Sequence, residues 1–130
     1  MLKNLIFILL SVSMFVSCEK SNSNPDCDLK AELNQTKFLE GPFDEFTNVI
    51  SVNYDDGCLL ITVGYSGCDD GHDIELVTDG SILESEPPIL QFALIHDNLE
   101  ACQAYFTETL SFDIEDIPSI KDYDKIFLQF

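Results

Sequence analysis

The chain has 130 residues, with 24 acidic side chains against six lysines and no arginine, a formal net charge of −18 and an isoelectric point near 4.1. That balance excludes nucleic acid and anionic lipid surfaces as direct partners, because both are held through basic patches. One domain fits this length and two do not, and the apolar area available for burial is large enough that folding requires no metal or cofactor.

Residues 1–17 read as a secretory leader. Lys3 precedes an apolar run from Leu5 to Val16, interrupted by Ser11 and Ser13. The run is shorter than the roughly 20 residues that span a bilayer and has the n-region and h-region of a signal peptide. It closes on Phe15-Val16-Ser17-Cys18. This stretch resembles the lipobox of bacterial lipoproteins, in which a small residue precedes a cysteine that is acylated and becomes the new N-terminus. The resemblance implies lipidation at Cys18, with the membrane as partner through the anchor and the outer membrane of the cell envelope as the location. Two or more acyl chains suffice for stable anchoring. Residues 18–26, the lipidated cysteine and the polar stretch EKSNSNPD, cannot bury enough surface to offset ordering entropy, and so form a flexible tether. Residues 27–130 form a single β domain.

Beyond Cys18 four cysteines remain: Cys27, Cys58, Cys68 and Cys102. In an oxidising compartment an even number reads as a disulfide framework. Of the three possible pairings we expect Cys27 with Cys58 and Cys68 with Cys102, each closing a loop worth roughly 3.5–4 kcal/mol on the chain-entropy model.

Helical signals are confined to one or two turns within DLKAELNQTKFL (28–39) and one within SIKDYDK. Strand signals dominate. FTNVISVNY (46–54) alternates, with Val49, Ser51 and Asn53 on one face and Ile50, Val52 and Tyr54 on the other. Asp56-Gly57 is a strong hairpin turn leading into CLLITVGY (58–65), whose apolar face is Leu59, Ile61, Val63 and Tyr65. HDIELVTDG (72–80) is a third strand. ILQFALIHDN (89–98) is a fourth, apolar on both faces and so expected away from an open edge. AYFTETLSFDI (104–114) and YDKIFLQF (123–130) complete the set. The fold class expected is all-β, a disulfide-stabilised antiparallel β-sandwich or barrel of about six to seven strands.

The stretch YSGCDDGHDIEL (65–76) holds one of the chain's two histidines beside a cysteine and four carboxylates. Cys68, His72, His96 and Cys102 are the ligand types of tetrahedral zinc, but not in the familiar finger order, and disulfide formation competes for the sulfurs. With the sulfurs linked, His72 and His96, with Asp70 and Asp73, are the remaining metal candidates. Either histidine beside Asp69, Asp70, Asp73 or Asp97 also has the residue types of a general base, although no G-x-S-x-G elbow surrounds Ser66 and the simpler reading is a hydrogen-bonded loop histidine. DDGCL, CDDGHD and IHDNLE are rich in oxygen ligands for calcium without matching the EF-hand pattern. No cofactor is required, and calcium or zinc is the metal to consider.

CLLITVGYSGCDDGHDIELV, PPILQFALIHDNLEACQAYFTETLSFDI and the lipobox together resemble a group of small, uncharacterised lipoproteins of Bacteroidota. Their pattern is a strand ending in Gly-Cys with a histidine a few residues on, a strand ending in histidine, then cysteine before the T-E-T-L-S-F-D stretch. The resemblance implies an envelope lipoprotein and no particular activity. We therefore expect a non-enzymatic binding or envelope-associated module. An inhibitor of a cationic enzyme such as lysozyme is one alternative, through electrostatic steering of a cationic protein partner. A metal-binding protein or metal-dependent enzyme using His72 and His96 is the other.

Overall fold

The computed structural model describes residues 26–118 and residue 120. The leader expected over 1–17, Cys18, the part of the expected tether up to residue 25 and the strand expected over 123–130 lie outside the described residues. Within them the order is β1 (Leu29–Lys30), β2 (Glu32–Leu33), α1 (Gln35–Glu40), β3 (Asn48–Asp55), β4 (Cys58–Gly67), β5 (Ile74–Thr78), β6 (Ile82–Leu83), β7 (Ile89–Leu90), β8 (Ala93–His96) and β9 (Ala104–Asp113).

The β3–β4 hairpin forms as its turn chemistry requires. Asp55 pairs with Cys58 across a two-residue turn in which Asp56 and Gly57 both take positive φ, 47° and 85°. That is the geometry that matches the twist of the flanking strands. Simple alternation in β3 does not survive, because a register shift between Val49 and Ser51 inserts one residue. Val49 opposite Val63 and Val52 opposite Ile61 therefore share a face, with Ile50 as the extra residue of a bulge.

β9 pairs antiparallel with β4 along its whole length, from Gly67 opposite Ala104 to Cys58 opposite Asp113. β1 adds to the far side of β9 in parallel, giving a four-stranded sheet in the order β1-β9-β4-β3. A second sheet has the order β2-β5-β8, with β2 parallel and β8 antiparallel to β5, and β6 with β7 makes a two-stranded ribbon. The two larger sheets share one core, built from Leu59, Ile61, Val63 and Tyr65 of β4, Ile74 and Leu76 of β5, and Phe92, Phe112, Ile114 and Ile117. The fold is all-β; among the described residues the sheets do not close into a barrel, and the two short parallel pairs depart from the wholly antiparallel expectation.

Two expected elements are revised. The region 28–39 holds two short strands before the helix, which starts only where the Asn34 side chain accepts from the Lys37 N–H at 3.1 Å and stops at Gly41, φ 73°. The single strand expected over 89–98 divides into β7 and β8. At the break the Thr78 hydroxyl donates to the Gln91 carbonyl at 2.7 Å, satisfying it outside a ladder. β8 is also an edge of its sheet, contrary to expectation, and the His96 N–H donates to the Pro42 carbonyl at 3.1 Å, so the loop after α1 runs along that edge.

Cys27 is bonded to Cys58, and Cys68 to Cys102. The first ties the start of the domain to the start of β4. The second ties the end of β4 to the loop before β9.

Candidate functional site

The site gathers where β4 and β8 end on the same side of the core. β4 ends in Gly67, and the Cys68–Cys102 bond holds the following loop, 68–73, against the loop 97–103 that follows β8. Asn98 joins the two further. Its side-chain amide donates to the Ser66 carbonyl at 2.7 Å and to Asp44 Oδ2 at 3.3 Å, and its Oδ1 accepts from the Glu100 N–H at 3.2 Å. Glu100 is thereby placed so that the Cys68 N–H donates to its carboxylate. That bond holds the Glu100 carboxyl below its ordinary value, against partial desolvation and with help from nearby His72.

The two histidines meet directly. His72 Nδ1 and His96 Nε2 are 2.8 Å apart, and His96 Nδ1 is 2.6 Å from Thr47 Oγ1, which is 2.7 Å from Asp44 Oδ2. His96 is almost fully enclosed, with a side chain 1% exposed, and Asp44 is 7% exposed. Burial holds the His96 ring below its ordinary value, since the charged form loses water; Asp44 opposes this and His72 adds to it. For Asp44 burial raises the carboxyl, but bonds from Thr47, the Phe46 N–H and Asn98, with His96 close by, outweigh it and leave the group below its ordinary value.

The row of bonds has one consistent direction when both rings are neutral. An ionised Asp44 can only accept, so the Thr47 hydroxyl donates to it and accepts from His96 Nδ1–H. His96 Nε2 is then the acceptor for His72 Nδ1–H. His72 Nε2 is left as a lone pair, and it lies 3.3 Å from Glu100 Oε2 and 3.5 Å from Asp69 Oδ1.

Tyr65 packs under both rings, at centroid distances of 4.7 Å to His72 and 5.1 Å to His96. Its fully buried hydroxyl is raised above its ordinary value by desolvation, with Glu108 adding to the effect. Gly67 makes room for the cluster. A Cβ there would stand 2.8 Å from Glu100 Oε2 and 3.1 Å from His72 Nε2.

Two hollows adjoin the histidine pair, one lined by His96 and the other by His72. One, of about 390 Å³, is lined by Phe38, Phe43, Val49, Phe92 and Leu94, with Asp44, Thr47 and His96 at its polar end. The other, of about 530 Å³, is an acidic cleft bordered by Asp69, Asp73, Glu75, Asp97 and Glu100, with Lys37 as its cation and His72 within. Lys37 is paired with Glu32 and Glu75.

The residues expected from sequence are therefore partly regrouped. His72 and His96 are together, but the four-ligand set with Cys68 and Cys102 is closed because both sulfurs are engaged in a disulfide. Among the described residues, Asp69, His72 and Glu100 place one potential metal-ligand atom each within 4.8 Å of the others. Asp70 is outside that group and Asp73 borders the cleft. His96 lies behind His72 as a hydrogen-bond partner. Glu100 was signalled only indirectly: it precedes Cys102 by two residues as Asp69 follows Cys68 by one, so the disulfide brings them together.

No protein-family model matches the chain, and no curated protein matches it. Among solved structures it is similar to one named as a toxin-related protein from Parabacteroides distasonis, with 16% sequence identity over 69% of this chain and a TM-score of 0.48. This chain spans about half of that structure's length, 47%. Among the described residues no helix is long and apolar enough to cross a membrane.

Proposed function

We propose that the chain is a lipid-anchored cell-envelope protein, acting by binding and not by catalysis, whose acidic cleft receives a cationic ligand. The anchor rests on the lipobox at Cys18 and on the likeness to small Bacteroidota lipoproteins. The observation that carries the binding reading is the cleft itself, lined by five carboxylates and by one lysine that is already paired. A concave surface lined by one sign of charge focuses its field outward and raises the local concentration of the opposite charge. The rigidity of the floor, fixed by a disulfide, Asn98 and a hydrogen-bonded histidine pair, favours recognition over a moving catalytic group.

A basic protein is the partner the charge fits, and hen lysozyme is a usable probe. Binding of lysozyme to the purified protein is expected at low ionic strength and should weaken steeply with added salt, more so when Asp73→Asn and Asp97→Asn are combined. No binding at low ionic strength would overturn a cationic protein partner. For the anchor, incorporation of a palmitate analogue in cells should occur in the wild type and vanish in Cys18→Ser; an unlabelled wild type sinks it.

A further inference from the structure

We infer that Asp69, His72 and Glu100 form a three-ligand site for a divalent first-row transition ion, with Zn²⁺ as the representative, whose open coordination position faces the acidic cleft. The inference rests on reading the cleft as a cation site, and deepens it by naming an ion that the same cleft would hold.

Distances come first. His72 Nε2 lies 3.3 Å from Glu100 Oε2 and 3.5 Å from Asp69 Oδ1. Zinc bonds of about 2.0–2.1 Å in tetrahedral arrangement set neighbouring ligand atoms about 3.3 Å apart, which matches the two distances from His72; all three ligand atoms lie within 4.8 Å of one another, and the exposed Asp69 side chain is the one free to draw in around an ion. Direction agrees with distance. His72 Nε2 is buried and makes no well-aligned hydrogen bond, although the Glu100 carboxylate at 3.3 Å is near enough to interact with the ring, so that oxygen lies off the line along which an N–H would point. Ligands of one ion stand in that relation: each faces the metal, and neither faces the other.

The hydrogen-bond order supplies the second line of argument. With both rings neutral, Thr47 donating to Asp44 and each ring donating backward through Nδ1, His72 presents a lone pair to two carboxylates. Three electron-rich groups converging on one point lack a positive centre. The pattern behind His72 is also what a metal-binding imidazole requires, since its other ring nitrogen is bonded and its orientation fixed. His96, Thr47 and Asp44 are positioning residues here, none of them touching the ion.

The choice of ion follows from the donor set. Calcium takes six to eight oxygen ligands, and imidazole suits zinc and its neighbours instead. Three protein ligands with a vacant fourth position resemble exchangeable or substrate-facing zinc centres more than closed structural ones. Asp69, His72 and Glu100 line the same cleft as Asp73 and Asp97, so a ligand that bridges to the ion would enter through that cleft.

The test uses the full chain, exported so that its disulfides form, purified in detergent and stripped with a chelator. Calorimetric titration with ZnCl₂ is expected to show one ion per chain, and CaCl₂ much weaker binding. Ring ¹H–¹⁵N spectra should show the His72 Nε2 signal moving on zinc addition while His96 keeps its Nδ1 proton. Asp69→Asn, whose side chain is 74% exposed and so leaves the fold intact, should weaken zinc binding, and Glu100→Gln should do the same. His96→Asn should lower affinity roughly 10-fold to 100-fold without changing the stoichiometry. Unchanged zinc affinity in Asp69→Asn and Glu100→Gln, equal affinity for calcium, or a proton retained on His72 Nε2 in saturating zinc would overturn the site. Zinc binding absent with salt-sensitive lysozyme binding retained would remove the ion alone; the reverse would remove the protein partner alone.

Discussion

Asp44 shows how one buried carboxylate can set the acid limit of this fold. It accepts from the Thr47 hydroxyl, the Phe46 N–H and Asn98, and it lies 3.5 Å from His96 Nδ1. Because its folded value lies below the ordinary one, it ionises more readily folded than unfolded. Its stabilisation is therefore complete above the unfolded carboxylate value of about 3.9 and is lost as the pH falls through the lower folded value. Hydrogen bonds to a charged group contribute about 1.5–3 kcal/mol, so Asp44→Asn should lower stability by that order at pH 7. The gap between variant and wild type should narrow as the pH falls below about 3.9, as urea midpoints measured across the range would show; a gap constant with pH would contradict it. The histidines and Asp69 were legible as candidates from local spacing. Asp44 and Thr47 were not, because Thr47 reaches His96 across 49 residues and nothing near position 47 marks it.

At the level of elements, the hairpin is where local chemistry and structure agree most closely. Gly57 takes φ 85°, a region that costs a residue with a Cβ, so Gly57→Ala should destabilise the domain by about 1 kcal/mol. A shift of the urea midpoint without change of slope would register it, and an unchanged midpoint would show that the turn does not need glycine. The turn was readable because two adjacent residues specify it. The parallel pairs β1 with β9 and β2 with β5 were not readable, since each is two residues long and its partner is remote in sequence. The stretch 89–98 misled for a related reason. Its apolar residues serve two different pairings, β7 with β6 and β8 with β5, and period alone cannot locate the change of partner.

For the whole molecule, the two disulfides hold opposite ends of β4, the central strand on which both the core and the site are built. Replacing Cys68 and Cys102 together by serine opens a loop of sequence separation 34, which the chain-entropy model values at roughly 4 kcal/mol. Thermal denaturation should register the loss, and a change under about 1 kcal/mol would mean that the unfolded chain is little constrained by that bond. The all-β class and disulfide reinforcement were legible from composition, turn spacing and cysteine number. The choice between sandwich and barrel was not, and among the described residues the sheets do not close.

Cys27–Cys58 has a mechanical consequence. β1 holds to β9 by a two-residue parallel ladder, supplemented by the Ala31 N–H to Asp113 carbonyl bond and an exposed Lys30–Asp116 ion pair at 2.8 Å. Pulled from the N-terminal side without the cross-link, this short ladder would peel first and the unravelling would run onward into the helix. With the cross-link, traction applied before residue 27 passes through sulfur to the head of β4, which is flanked by β3 and β9 along its length. The load is then shared with the two long ladders of β4, so a pull on the N-terminal side does not fall on the two-residue β1 ladder alone.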